Sequence, residues 1–341
     1  MNHNDLANKW RPQNFKDLYG QNRALYFLKK SIIKKNIHHS YLISGSHGIG
    51  KTSIARIFAK CINCKKGISL NPCEKCISCI EINNGKNIDV IEIDAASKTK
   101  IEDIREIINS TKYMPHYSTN KIYIIDEVHM LSINSFNALL KTLEEPPENT
   151  KFILITTDIN KIPATITSRC IQIELRKISK KNLIKRIKYI CKNEDLKYEE
   201  KALHSIINFS DESIRDCINI IEKFVSQNKK NINENTVKKI LGINSKFNIT
   251  SIIKLIEQKN YRKILKITNK LNKENMDFEK IIKQIQIILR KKIIKKILKK
   301  KPNIKKLQKI YKNMLMNKLY LQNSPNKKIG FEMLILKIIN N

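Results

Sequence analysis

Two short stretches carry most of the chemistry. Gly45-Ser46-His47-Gly48-Ile49-Gly50-Lys51-Thr52 has the spacing G-x-x-x-x-G-K-[ST], after a β-branched run and before an apolar periodicity of three and four. Its glycines permit positive φ and close approach, so successive backbone N–H groups can wrap phosphate oxygens. The helix that starts beside Gly50 points the positive end of its dipole at the same place. Lys51 supplies a cation for β- and γ-phosphates, and Thr52 a hydroxyl for Mg²⁺. Gly45, Gly48, Gly50, Lys51, Thr52 and Ser53 are therefore the expected nucleotide contacts. The second stretch, Lys121-Ile122-Tyr123-Ile124-Ile125-Asp126-Glu127, is a buried strand ending in two acids. Such strand ends face the ligand crevice of open α/β sheets. Asp126 is placed to hold Mg²⁺ together with Thr52, and Glu127 to polarise an attacking water. The Asp-Glu order favours hydrolysis over transfer to a second substrate. His129 reads as structural.

A third set is made of thiols. Cys64-x₈-Cys73-x₂-Cys76-x₂-Cys79 offers soft ligands around turns marked by Gly67 and Pro72, the pattern of a closed tetrahedral Zn²⁺ site. The trailing x₃-C-P of bacterial ferredoxins is missing, which disfavours an iron–sulfur cluster. Cys61, on the apolar face of the preceding helix, reads as core, as do Cys170, Cys191 and Cys217.

Positioning these groups requires a parallel α/β sheet. Candidate strands are Tyr41–Ser44, Val90–Ile93, Ile122–Ile125, Phe152–Thr156 and Ile171–Leu175, separated by helical patterns. Ile54, Ile57, Phe58 and Cys61 share one helix face. Phe136, Leu139, Leu140 and Leu143 share another, on a helix that Pro146-Pro147 must end. Past residue 178 the strand signal stops. Leu183, Ile184, Ile187 and Ile190 mark one helix, and Ile214, Cys217, Ile218 and Ile221 a second. A third, helical region follows Gly242, with Ile281, Ile282, Ile285, Ile288 and Leu289 at helical spacing and Pro302 and Pro325 as breaks. The lysine-laden stretch 291–312 reads as a packed helix whose lysines face solvent. The division is thus 1–177 for a nucleotide-binding domain with a zinc insertion at 62–82, then all-helical domains at 178–242 and 243–341.

The 341 residues carry a formal charge of +35. Basic surfaces bind nucleic acid by releasing counterions. Here, however, Lys, Ile and Asn are over-used in interior-looking and exposed segments alike, as an AT-rich genome also produces. Charge alone does not decide for a nucleic-acid partner. No apolar run has membrane-spanning length and the N-terminus lacks a signal-peptide pattern, so a cytoplasmic protein with reduced cysteines and no membrane partner is expected.

A zinc module inserted after the phosphate-loop helix of an ATPase is an unusual combination. With Ala7–Gln13, Phe15, Gly20-Gln21, His38–Leu42, Ile91–Ser97, Ile125–Leu131, Phe136–Pro147, Thr156–Asp158 and Thr167–Cys170, it resembles the bacterial clamp-loader ATPases, the gamma/tau subunits of DNA polymerase III. The resemblance implies an AAA+ P-loop NTPase core with the zinc module, a helical lid and a helical collar. It also implies ATP, Mg²⁺ and Zn²⁺ as cofactors. The implied partners are delta and delta-prime subunits, further copies of the chain, the beta sliding clamp and primed DNA. The implied activity is ATP hydrolysis that drives clamp loading during DNA replication, with no polymerase active site in this chain. Transferred by position, Thr157 is sensor 1, Arg169 the arginine finger that enters a neighbouring subunit, and Arg215 sensor 2. Trp10, Arg11 and Pro12 lie near the adenine, and Lys98 and Lys100 face DNA. Two departures stand out. Glu212 replaces the small residue or glycine usual before the sensor-2 serine, and no tau-type extension follows Asn341, as in a short gamma-like form. The competing readings are a non-hydrolysing, delta-prime-type structural subunit, which the intact loop and Asp126-Glu127 disfavour, and another AAA+ motor such as one that migrates Holliday junctions.

Overall fold

Each β-branched run of the first half folds as a strand of one parallel sheet. The computed structural model describes residues 5–97, 101–227, 231–240, 249–273, 278–298, 304–316 and 324–340. The strands are β1 (Ser40–Ser44), β2 (Val90–Asp94), β3 (Lys121–Asp126), β4 (Thr150–Thr156) and β5 (Ile171–Glu174), in the order β2-β3-β4-β1-β5. The register pairs Ser44 with Thr156 and Asp94 with Asp126, so the carboxyl ends of β1, β4, β3 and β2 lie along one edge. All five expected strands are present, each within two residues of its expected ends.

Their composition follows from burial on both faces. Tyr41 and Ile43 of β1, Ile122 and Ile124 of β3, and Ile153 and Ile155 of β4 enter one apolar layer with Ile54, Ile57 and Phe58. The alternate residues Leu42, Tyr123, Ile125, Phe152 and Leu154 enter a second layer with Phe136, Leu139 and Leu143. The period-two alternation places a hydrophobe on each side, and each fully buried one contributes about 1.5–3 kcal/mol.

The helices of this half are α1 (Leu6–Lys9), α2 (Asn22–Ile33), α3 (Lys51–Asn63), α4 (Ile77–Asn84), α5 (Ile101–Ser110), α6 (Ile133–Glu144) and α7 (Ala164–Thr167). After the sheet come α8 (Lys180–Asn193), α9 (Glu200–Phe209) and α10 (Ile214–Val225). Ser132, Ser179 and Ser213 cap α6, α8 and α10 by accepting backbone N–H bonds. A two-stranded parallel pair, β6 (Lys197–Tyr198) with β7 (Asn231–Ile232), lies where no strand is expected. Two residues are too few for periodicity to register.

The chain divides into two compact units, Met1–Glu234 and Asn235–Asn341. The expected boundary at 177/178 falls inside the first unit. There the sheet domain and the following helices share one cleft, and Leu6 N–H donates to Glu222 of α10 at 3.0 Å. α11 (Glu234–Ile240) begins at the boundary. The second unit contains α12 (Ile249–Glu257), α13 (Tyr261–Lys273), α14 (Phe278–Leu298), α15 (Ile304–Met316) and α16 (Lys327–Asn340). Ile281, Ile282, Ile285 and Leu289 are buried in its core with Leu307, Ile310 and Phe331. Ile294, Ile297 and Leu298 are exposed, so the apolar stripe expected over 291–312 is buried only in part. Pro302 lies outside the described residues, and no described helix is long and apolar enough to cross a membrane.

A candidate nucleotide cleft and a four-cysteine cluster

The loop after β1 turns through three glycines at positive φ, Gly45, Gly48 and Gly50, before α3 begins at Lys51. At Gly48 the requirement is steric as well as conformational. A Cβ there would lie 2.0 Å from Ser213 Oγ and 3.4 Å from Arg215 Cβ. The phosphate loop therefore touches the N-terminus of α10 directly, and Arg215 N–H donates to the Gly48 carbonyl at 3.4 Å.

The cleft between these elements is lined by the whole loop from His47 to Ser53, by Asp126 and Glu127, by Trp10, Arg11 and Pro12, and by Asn182, Arg186 and Arg215. It opens to solvent, and its empty volume of about 1090 Å³ includes the solvent at its mouth. Gly45 belongs to the loop but not to the lining.

The loop and the acidic strand end meet as the spacing predicts. Thr52 Oγ1 donates to Asp126 Oδ2 at 2.6 Å. Lys51 Nζ donates to the carbonyls of Gly45 (3.0 Å) and Ser46 (3.1 Å). Burial pulls the Lys51 ammonium below its usual range, against the opposing field of Glu127 and Asp126. Glu127 sits at φ +48, just past β3. Its Oε2 accepts from Thr157 Oγ1 at 2.9 Å and lies 3.3 Å from His129 Nδ1. His129 Nδ1 is also 3.2 Å from Thr156 Oγ1, so the imidazole braces the end of β4 against Glu127. Arg11 is half-buried near Arg56 and Arg215, and both partial burial and those like charges pull its guanidinium below the usual value. That convergence of cations suits an anionic ligand.

Arg169 lies apart from the cleft. Its Nε donates to Glu144 Oε1 at 2.6 Å, its Nη2 meets the same carboxylate, and its Nη1 reaches the Thr165 carbonyl at 2.5 Å. Lys98 and Lys100 lie outside the described residues.

Three charged residues that hold the segment from Trp10 to Gln13 have no motif to announce them. Arg186 of α8 is buried, donates to the Trp10 carbonyl at 2.8 Å, and stands within 6 Å of the rings of Trp10, Tyr19 and Tyr189. Glu194 accepts from Trp10 Nε1 at 2.7 Å and from Lys9. Lys60 of α3 has no solvent exposure and donates to the Gln13 carbonyl at 2.5 Å. Apolar periodicity finds α3 and α8, but it makes these polar positions look like solvent-facing ones. Only the partners in distant segments explain them.

The four cysteines come together. The Sγ atoms of Cys64, Cys73, Cys76 and Cys79 all lie within 4.8 Å of one another. Ligands of one Zn²⁺ at about 2.3 Å would be about 3.8 Å apart in a tetrahedron, so the thiols fit that ion. Backbone N–H groups of Cys73, Cys76 and Cys79 point at the sulfurs of Cys64, Cys73 and Cys76 at 3.3, 3.3 and 3.5 Å. Such bonds favour thiolate. The N–H groups of Lys75 and Cys76 hold Cys73 down at about 6, whereas burial pushes Cys79 up. Cys61 is buried outside the cluster and bonds the Leu70 carbonyl, and burial lifts its thiol to about 12. Cys170, Cys191 and Cys217 are buried too, with thiols raised by burial to about 12, 12 and 11. These four behave as core residues.

Comparison with known proteins places this architecture. The family model described as "DNA polymerase III, delta subunit" matches residues 20–179. The chain is 41% identical to the DNA polymerase III subunit gamma of Buchnera aphidicola subsp. Baizongia pistaciae (strain Bp), covering 100% of this chain and 98% of that one. It is 34% identical to the DNA polymerase III subunit tau of Escherichia coli (strain K12), covering 99% of this chain and 56% of that one. Among solved structures, the Thermotoga maritima RuvB Holliday junction branch migration motor superposes with a TM-score of 0.50 at 20% identity, over 69% of this chain and 72% of that one. At that identity the likeness is one of fold.

Proposed function

The chain belongs to the DNA polymerase III gamma/tau family of clamp-loader proteins, and from that premise we propose that it is the subunit that binds and hydrolyses ATP to load a sliding clamp onto primed DNA. The observation that carries the proposal is the hydrogen-bonded set at the sheet edge, Thr52–Asp126 beside Glu127–Thr157, directly under the loop 45–52. A structural subunit that had lost hydrolysis would have no need of it.

In this reading the N–H groups of the loop hold the phosphates. Lys51 exchanges the carbonyls of Gly45 and Ser46 for phosphate oxygens. Thr52 and Asp126 would hold Mg²⁺, which would supply positive charge against the phosphates. Glu127 accepts a hydrogen bond from the attacking water, and Thr157 and His129 fix the carboxylate that does so. Arg215, reaching from α10 beside Gly48, reads the phosphates from the opposite wall, and Trp10, Arg11 and Pro12 wall the base. Arg169 is held at the surface by Glu144 and serves the site of a neighbouring subunit, where its guanidinium stabilises transition-state charge. Cys64, Cys73, Cys76 and Cys79 would hold a structural Zn²⁺, which closes the 62–82 insertion. The proposed division is an ATPase domain at 1–177, a lid at 178–242 and a collar at 243–341. The proposed setting is the cytoplasm, in a ring with delta, delta-prime and further copies of the chain.

The test is ATP turnover by the chain assembled with delta and delta-prime subunits. Primed DNA plus clamp should stimulate it, and Arg169→Ala should remove the stimulation while leaving ATP binding intact. Turnover indifferent to primed DNA and clamp would overturn the clamp-loader proposal.

A further inference from the structure

The four-cysteine cluster and the base end of the cleft are joined through one buried cation. Lys60 lies one turn before Cys64 on α3, with no solvent exposure, in the field of Glu74, Cys79 and Asp17. Its ammonium donates to the Gln13 carbonyl at 2.5 Å and lies 3.3 Å from Gln13 Oε1. Gln13 Nε2 in turn donates to the Arg11 carbonyl at 3.2 Å. Asp17 Oδ2 accepts the N–H groups of Gln13 and Asn14, each at 3.3 Å, and Asp17 lines the cleft with Arg11 and Pro12. A second link runs in parallel, from Asn14 Nδ2 to Glu74 Oε1 at 3.3 Å. Glu74 sits between Cys73 and Cys76 at φ +58, a conformation that costs a non-glycine residue energy and persists only where its surroundings enforce it. Phe15 anchors the same segment in the apolar layer with Cys61, Ile62 and Ile82, which flank the cluster.

A buried ammonium is tolerated when hydrogen bonds and opposite charge compensate it. Here the compensation comes from both sides of the link. The cleft-lining segment gives carbonyl and carboxylate oxygens, and the cysteine-rich turn gives Glu74 and the region of Cys79. Among the described residues, the Lys60–Gln13 bond is the charged hydrogen bond that ties residues 11–17 to α3.

We propose that Lys60 is a positioning residue through which the metal-closed cysteine cluster holds the Arg11–Asp17 wall of the nucleotide cleft, so that opening the cluster weakens nucleotide binding at a distance. The proposal rests on the nucleotide and zinc readings above. It gives the 62–82 insertion a task at the ATP site rather than at a partner surface.

The probe is ADP binding to the full chain, followed by the fluorescence of Trp10, the only tryptophan in the sequence and itself part of the cleft. Lys60→Met should keep one Zn²⁺ per chain and native near-ultraviolet dichroism, yet bind ADP about 10-fold more weakly, within the usual range of site-to-site coupling. Chelating the metal from the wild type should weaken ADP binding by a similar factor, and chelation should add nothing in Lys60→Met. That loss of metal dependence is an effect a merely structural lysine would not produce. Wild-type affinity in zinc-loaded Lys60→Met, or in a chelated but folded wild type, overturns the proposal. If chelation unfolds the chain, the zinc-loaded variants Lys60→Met and Glu74→Gln decide, and wild-type affinity in both overturns it. A zinc-loaded wild type that binds no ADP removes the nucleotide reading itself, and is told apart because every arm then fails alike.

Discussion

The two ends of the cleft are built on different plans. At the end where the proposal puts the phosphates, Arg215 comes from α10 but the other groups ride on strand ends or the turns that leave them: Lys51 and Thr52 where the loop after β1 enters α3, Asp126 closing β3 with Glu127 after it, and Thr157 after β4. Parallel register aligns those ends before any side chain is chosen. At the end where the proposal puts the base, the side of the wall from Trp10 to Asp17 belongs to no regular element. The segment from Trp10 to Asp17 is held by side chains reaching in from α3, from α8 and from the residue that follows α8, through Lys60, Arg186 and Glu194, while Glu222 of α10 holds Leu6 just ahead of it. One end takes its geometry from the backbone, and the other is assembled from long-range polar contacts. The phosphate end should therefore lose ligand affinity without losing stability when a functional side chain goes, whereas the base end should lose both.

Lys51→Ala is the largest expected effect and the sharpest probe of the first half of that contrast. Removing the cation should weaken ATP binding by two or more orders of magnitude, about 3 kcal/mol, as lost charge-assisted bonds to phosphate would. The thermal midpoint of the ligand-free chain should not fall. The lysine is buried against two carbonyls, and its burial already opposes its charge. Calorimetric ATP titration and a melting curve measure the two quantities. A large drop in stability would break the contrast.

The same division explains what can be read from residue order. The five strands, the loop 45–52, Asp126-Glu127 and the cysteine spacing are local patterns, each with its physics contained in a few consecutive residues. They appear in the fold where expected. Lys60, Arg186 and Glu194 cannot be read that way. Lys60 and Arg186 are charged residues on amphipathic helices and Glu194 directly follows one, and periodicity gives each a solvent-facing role unless its partner, more than forty residues away at the least, is already known. The β6–β7 pair escapes for a related reason, because two residues of strand carry no period.

Arg186→Met tests the base end. The guanidinium bonds the Trp10 carbonyl and sits among three aromatic rings, so its loss should cost about 1–3 kcal/mol of stability for the unpaired carbonyl and lost stacking. ADP binding should weaken by about 10-fold alongside it, a loss of about 1.4 kcal/mol. Urea unfolding at neutral pH and the Trp10 titration read the two together. Weakened binding at unchanged stability would make the base end behave like the phosphate end and remove the distinction.

Asp89 provides a control at the opposite end of the strands. It is buried just before β2 and accepts the N–H groups of His116 (2.6 Å), Tyr117 (3.1 Å) and Ser118 (2.9 Å), pinning the loop that leads into β3. Burial alone would raise its carboxyl, but those three donors outweigh it and hold the value below the usual 3.8. A carboxyl lowered by folding contributes stability that is present above its unfolded value and is lost as pH falls through the folded one. Asp89→Asn should therefore cost about 1–2 kcal/mol at pH 7. It should also flatten the acid limb of the stability curve below about pH 4, and leave ADP affinity unchanged. An altered affinity would mean that the sheet edge is less self-sufficient than its backbone plan implies.

The smallest effect concerns the joint where the two plans touch. Gly48 and Ser213 are in contact across the cleft, and the turn on each side needs positive φ. The loop side meets that need with glycine. The helical side meets it with Asp211 at +49° and Glu212 at +67°, where the family resemblance leads one to expect a small residue or glycine before the serine. Left-handed backbone costs a non-glycine residue roughly 1–2 kcal/mol, and glycine returns roughly half of that as extra freedom of the unfolded chain. Glu212 has one ion-pair partner to lose, Lys180 at 3.9 Å, and both side chains are substantially exposed, so the pair adds little. Glu212→Gly should then raise stability by about 0.5 kcal/mol, a gain of about 1–2 °C in a chain of this size. If the turn is merely strained, ADP affinity will stay fixed while the midpoint rises. If affinity falls as stability rises, the strain at Glu212 is what presses Ser213 and Arg215 onto the phosphate loop. The base-end plan would then extend to a contact that the two halves share.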